Sequence, residues 1–190
     1  MTRHGASAIR VGISACLLGQ AVRYDGGHKR DPIITETLGK LFEWVPVCPE
    51  VELGLGVPRE SLALEGSPDA PRLVFRDTRA DVTDRMDSWA RRRLAEFETA
   101  DLCGYILKSD SPSCGLQGVL LCEPGGSGPP RRSETQRSRE GVGLFARALL
   151  ERFPLLPVED EMRLQAPPRR NEFVERVLSY RRSLRLRNDA

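Results

Sequence analysis

Three of the five cysteines share one local context, an apolar run closed at once by a turn. They stand in Val11-Gly12-Ile13-Ser14-Ala15-Cys16, in Val45-Pro46-Val47-Cys48-Pro49-Glu50, and in Ile106-Leu107-Lys108-Ser109-Asp110-Ser111-Pro112-Ser113-Cys114-Gly115. Short apolar runs ended by turn residues read as strands. If those strands are parallel, their carboxyl ends lie along one sheet edge, the place where such sheets bind ligands. Three thiols far apart in sequence then converge. Three thiolates suit zinc, for which His28 is the natural fourth ligand, or a [4Fe-4S] cluster with one iron left open. An open iron is a soft Lewis acid, better matched to sulfur than to oxygen. The plain alternative is that all three are small buried apolar residues, as free cysteines often are. Cys103 precedes its strand, and the run from there to Lys108 spans about 16 Å at roughly 3.3 Å per residue, which puts it at the opposite edge. Cys122 follows a run of unassigned direction and is an outside candidate only.

Polar residues beside these turns extend the candidate site. Glu50 and Glu52 flank the Cys48 turn, and two neighbouring carboxylates can divide into an acid and a base; surface solvation is their plain reading. Ser109, Ser111 and Ser113 could hold a substrate, although Ser-Asp-Ser-Pro-Ser is also what an ordinary capped turn looks like. Asp25-Gly26-Gly27 is a turn signal, and the adjoining Arg23, His28 and Lys29 could bind a phosphate or ring oxygens through charge-assisted hydrogen bonds. Arg59 invites the same reading, but the glycines at Gly54 and Gly56 match neither a dinucleotide-binding nor a P-loop pattern. Arg181, Arg182, Arg185 and Arg187 could touch nucleic acid. A helix with Phe173, Val174, Val177, Leu178 and Leu184 on one face more often turns such charges to water.

The elements that must position these groups alternate. Ile9, Val11 and Ile13 alternate with polar or small residues as a strand does, and Glu43 to Val47 and Gly104 to Leu107 read as further strands. Apolar residues at helical spacing predict helices over Pro32 to Phe42, Asp84 to Ala100, Gly141 to Phe153 and Arg170 to Leu186, with a short strand at Leu155 to Val158. Leu62 to Leu64 and Leu73 to Phe75 predict a small hairpin beside the main sheet. Strands separated by amphipathic helices imply an α/β fold: a single domain with a mostly parallel sheet and helices on both faces, a three-layer α/β/α arrangement. At 190 residues one core suffices. Residues 123–140, rich in Gly, Pro, Ser and Arg, read as a mobile surface loop.

Composition narrows the class further. A formal charge of +2 gives no general reason to expect nucleic acid as a partner. No apolar run approaches the roughly 20 residues of a membrane span, and Met1 to Arg10 lacks the apolar stretch of a secretory signal. The expectation is a cytoplasmic protein, where five cysteines serve as ligands, nucleophiles or core residues rather than disulfides. A zinc nucleobase deaminase would need His-x-Glu and Pro-Cys-x-x-Cys, and neither occurs.

Several motifs together carry a resemblance. Ile13 to Gly19, Val22 to Lys29, Val45 to Glu52, Gly54 to Glu60, Lys108 to Gly115 and Gly143-Leu144-Phe145-Ala146 resemble the DUF523 family, which includes the TudS-type thiouracil desulfidases. The resemblance covers nearly the whole chain, so that 1–190 reads as one desulfidase domain. It implies that Cys16, Cys48 and Cys114 ligate a [4Fe-4S] cluster whose fourth iron takes up the substrate's sulfur, and that Glu50 and Ser111 are catalytic. Arg23, Asp25, His28, Lys29, Arg59 and Ser109 are the candidate substrate-binding residues. The expected partner is a small thiolated pyrimidine or its nucleotide, such as 4-thio-UMP, because the chain offers no segment for the additional domain of the related proteins that act on transfer RNA. Association into a homodimer stays open. The runner-up is a non-catalytic iron-sulfur or zinc-binding protein, and a third reading, a regulatory RNA-binding module, requires strongly salt-dependent binding.

Overall fold

In the computed structural model, which describes residues 8–124 and 137–188, the apolar alternation of the first strand is answered on both sides. β1 (Arg10–Ser14) pairs in parallel with β2 (Glu43–Val47), in the register Ser14 to Val47, and on its other side with a strand at Gly104–Leu107. β3 (Leu62–Gly66) and β4 (Pro71–Phe75) form the expected antiparallel hairpin. With α1 (Pro49–Glu52) and α2 (Thr83–Thr99) counted before it, the Gly104–Leu107 strand is β5. β5 also pairs in parallel with β8 (Val158–Asp160), so the main sheet runs β2-β1-β5-β8 with all strands parallel.

Both faces of that sheet are covered, which makes the predicted three layers. On one face the Tyr105 ring lies across Gly12 and meets Phe145 of α3 (Leu144–Arg152) at 5.7 Å and Phe97 of α2 at 6.1 Å. On the other, Val11, Ile13 and Ile106 pack with Phe173 and Val177 of α4 (Pro167–Asn188) and with Ile34, Leu38 and Phe42. Gly12 has a positional reason: a Cβ there would stand 2.3 Å from the Tyr105 ring.

Several elements differ from their sequence signals. The helix expected over Pro32 to Phe42 is a π-turn at Ile33–Thr37 followed by a 3₁₀ turn at Leu38–Lys40. Its β-branched Ile33, Ile34, Thr35 and Thr37 favour α-helix weakly, and Asp31 draws the Ile34 amide to its side chain. The strand expected at Leu155 to Val158 begins instead at Val158, because Leu156 N–H turns back to the Phe153 carbonyl and Pro157 offers no N–H to a ladder. The hairpin belongs to a second, mixed sheet, order β4-β3-β6-β7, completed by β6 (Val119–Cys122) and β7 (Arg137–Gly141). Of the loop expected over 123–140, residues 125–136 lie outside the described residues, while Arg137 onward is strand.

The segment joining β5 to Cys114 is held by α3. Leu144 N–H donates to the Pro112 carbonyl, and the Phe145 and Ala146 amides both donate to the Ser113 carbonyl. Free amides of a helix's first turn thus find acceptors in the loop they support. Gly143 makes this approach possible, since a Cβ there would sit 2.5 Å from both the carbonyl carbon and oxygen of Ser113. Those are backbone atoms and cannot rotate away. Gly143→Ala is therefore expected to cost about 1–3 kcal/mol, the usual penalty of overpacking, read as a lowered urea midpoint with an unchanged m-value.

Candidate active site

Parallel pairing brings four chain exits to one edge, and each is shaped locally. After β1 the chain enters a 3₁₀ turn at Ala15–Leu18, closed by Gly19 at φ 90°, which carries Cys16. After β2, Cys48 occupies the cap position before α1, with Pro49 at its first helical residue. After β5, the Lys108 amide donates to Ser14 Oγ at 3.0 Å, tying this exit to that of β1. Ser111 Oγ then accepts the amides of Cys114 at 3.0 Å and Ser113 at 3.3 Å, winding the loop into a tight serine turn. After β8 comes Glu161, almost fully buried.

These exits frame a cavity of about 630 Å³, lined by Cys16, Cys48, Cys114, Glu50, Ser111 and Lys108 among others. Arg23, Arg59 and Ser109 also line it, and Ser61, Leu62, Arg76 and Leu120 reach it from the second sheet. Burial raises the Cys16 thiol to about 11, with the neighbouring Cys48 adding to the effect. Burial also raises Cys48 and, further, Cys114, whose neighbours include both other thiols. The thiols are thus close enough to repel one another's ionisation, and a bound cation would reverse that balance outright. Among the described residues no three His, Cys, Asp or Glu close onto a point that would hold a single ion.

Two buried ion pairs organise the polar wall. Arg59 donates from Nε at 2.9 Å and approaches with Nη2 at 2.7 Å, both to Glu50 Oε2, while Ser113 Oγ donates to Oε1 at 2.9 Å. Arg59 also donates from Nη1 to the Gly56 carbonyl and from Nη2 to the Val22 carbonyl, so it is held in place beside Glu50. Glu161 accepts the Ser109 amide at 2.7 Å, the Ser109 hydroxyl at 2.6 Å and the Lys108 ammonium. Lys108, Glu161 and Arg76 were not legible as site residues in the sequence. An acid run such as Glu159-Asp160-Glu161 ordinarily reads as surface, and only its position after an apolar strand hints otherwise.

Other sequence candidates fall outside the cavity wall. Asp25 bonds the Gly27 amide and pairs with Arg23 at 3.5 Å, closing its own turn. His28 accepts the Arg30 amide and Lys29 is tied by its backbone to the Cys16 carbonyl; both side chains are exposed. Glu52 turns to Arg93 of α2 at 3.1 Å. Cys103 lies buried at the amino end of β5, its amide on the Arg10 carbonyl, at the opposite edge as expected. Cys122 ends β6, beside Glu65 in register. Arg181 and Arg185 of α4 have partners of their own. No helix among the described residues is long and apolar enough to cross a membrane.

Comparison with known proteins adds three findings. Residues 11–161 match the model of a family described as 2-thiouracil desulfurase, a match that ends on Glu161. The Bacillus subtilis (strain 168) protein YbbK, itself uncharacterised, is 32% identical over 111 residues, 54% of this chain and 71% of its own. A solved structure described as the [4Fe-4S]-dependent thiouracil desulfidase TudS superposes with a TM-score of 0.61 at 32% identity, covering 83% of this chain and 93% of its own.

The raised thiols set a test of the metal-free chain. Alkylation proceeds through the thiolate, so a thiol at about 11 reacts roughly a hundredfold more slowly at pH 8 than one at the ordinary 9. Its rate should keep climbing about tenfold per pH unit beyond pH 9, where an unperturbed cysteine levels off. Peptide mapping by mass spectrometry after timed iodoacetamide exposure reads this for Cys16.

Proposed function

The chain belongs to the 2-thiouracil desulfurase family, and from that premise we propose how its residues carry out desulfidation. The reaction replaces sulfur by oxygen on a thiolated uracil: C=S and water become C=O and hydrogen sulfide, with no net redox change. The observation that carries the reading is the meeting of Cys16, Cys48 and Cys114 with Glu50 and Ser111 on one cavity wall.

The residues fit a [4Fe-4S] cluster held by those three cysteines. Three soft donors around a cavity, none converged with its fellows on a single point, suit a group larger than one ion better than a zinc ion, whose ligands all lie about 2.0–2.3 Å from it. His28 and Cys122, the fourth ligands that a closed structural or electron-transfer site would need, are not among the residues lining the cavity. When bound, such a cluster supplies an open, soft Lewis-acidic iron for the substrate's sulfur.

The chain's own residues supply the rest. Ser111 Oγ accepts two amides and so keeps its proton for the ring or the entering water. Glu50, oriented by Arg59 and Ser113, takes a proton from that water and returns it as the C–S bond opens. Lys108, fixed by Glu161, places a cation beside the anionic sulfur chemistry. Tyr24, exposed at the cavity with the Arg23 guanidinium 5.4 Å from its ring centroid, offers a face for the pyrimidine. Arg76 makes no ion pair with any described acid and is the phosphate partner in the nucleotide form, 4-thio-UMP being the example. Free thiols throughout the described chain fit a reducing, cytoplasmic setting.

Anaerobic purification with iron and sulfide assay, a visible spectrum, and addition of 2-thiouracil or 4-thio-UMP test the reading. Replacing Cys16, Cys48 or Cys114 by Ala is expected to remove colour and turnover together, while Cys103→Ala removes neither; cluster loss from Cys103→Ala overturns the placement. Arg76→Ala should raise KM for 4-thio-UMP about ten- to a hundredfold, the worth of a charge-assisted hydrogen bond, and leave KM for 2-thiouracil unchanged. Equal effects on both substrates sink the phosphate role.

A further inference from the structure

Arg59 stands where two parts of the cavity wall meet. Its side chain is 5% exposed and that of Glu50 13%, so both are largely out of water. Nε and Nη2 of the guanidinium both serve Glu50 Oε2, while Nη1 goes to the Gly56 carbonyl and Nη2 also reaches the Val22 carbonyl at 3.0 Å. The Arg59 amide adds a bond to the Tyr24 carbonyl at 2.9 Å. One residue thus holds a carboxylate on one side and a stretch of chain on the other.

That stretch, residues 22–28, contributes Arg23 and Tyr24 to the cavity lining. Within it the bonds are local: the Gly26 amide donates to the Arg23 carbonyl, the Arg23 amide to the Gly27 carbonyl, and the Gly27 amide to the Asp25 carboxylate. Local bonds shape a turn without fixing its place against the sheet. The Val22 and Tyr24 carbonyls supply that link, and Arg59 meets both. Cys48 Sγ also approaches the Val22 carbonyl, at 3.7 Å, but a metal-bound thiolate has no proton to offer there. The guanidinium, always charged and rigidly forked, keeps its bond whatever the cysteine holds.

We propose that Arg59 is a positioning residue for both sides of the reaction: through Val22 it places the Tyr24 face that receives the pyrimidine, and through its fork it aims Glu50 at the same ring. Seating of the substrate and aim of the proton-transferring group are then set by one side chain. The inference rests on the desulfidation reading given under Proposed function and deepens it.

The test is steady-state kinetics with 2-thiouracil and 4-thio-UMP on wild type, Arg59→Lys, Arg59→Met, Tyr24→Ala and the double variant Arg59→Met with Tyr24→Ala, each assayed for iron and sulfide. A lysine keeps a cation beside Glu50, but its single nitrogen cannot span Glu50, Gly56 and Val22 at once. Both Arg59 variants are expected to raise KM about two- to tenfold, the worth of one hydrogen bond, and to lower kcat, Arg59→Met more than Arg59→Lys. Tyr24→Ala is expected to raise KM and to absorb the Arg59→Met effect, so that the double variant has the KM of Tyr24→Ala alone. Should Arg59→Met not fold, the same cycle runs on Arg59→Lys. KM effects that multiply overturn the proposal, as does a wild-type KM in Arg59→Lys or in Tyr24→Ala. Loss of iron from both Arg59 variants marks a structural role and overturns it too. A wild-type chain that frees no sulfide from either substrate overturns the desulfidation reading itself, and Arg59's part with it.

Discussion

Parallel pairing along β1 is the constraint from which the site follows. A parallel strand sends its chain out at the same end as its neighbours, and β1 has a parallel neighbour on each side. Cys16, Cys48, the Lys108–Cys114 loop and Glu161 therefore emerge along one edge although they span most of the chain. The chain steps to one side of β1 for β2 and to the other for β5, which creates the crevice typical of such switch points. A slip of one residue in the β1–β2 register would turn Val47 out of the core and carry Cys48 with it.

Burying acids and thiols together at that edge is electrostatically expensive, and the structure answers each carboxylate with a cation. Glu50 has Arg59, and Glu161 has Lys108. Pairs of this kind add little net stability, because desolvation cancels most of the attraction. Their effect is geometric: Arg59 and Ser113 leave Glu50 one orientation, and Glu161 holds Ser109 by amide and hydroxyl at once. For the thiols burial outweighs their cationic neighbours, and it drives them toward the neutral form.

Much of this was legible beforehand, for reasons that differ by element. The alternation at Val11 and Ile13 and the one-sided pattern of Met86, Trp89, Leu94 and Phe97 are strong because burial alone dictates them. The last strand of the second sheet, Arg137–Gly141, carries no apolar signal and shows itself only by pairing with β6. β8 was displaced because its acids look like surface while standing almost fully buried. At the site, the cysteines were visible through their repeated strand-then-turn context, and Glu50 and Ser111 through family resemblance. Arg76 and Glu161 were not, since each acquires meaning only from an element distant in sequence. Asp25, His28 and Lys29 stood out because their turn is rich in polar groups, and the structure places all three outside the cavity lining.

The cavity draws its floor and its ceiling from different sheets. The sulfurs and the carboxylates that orient around them stand on the parallel sheet, while Ser61, Leu62, Arg76 and Leu120 descend from the mixed one. The roof of the cavity is thus built separately from the strand exits that carry the three sulfurs.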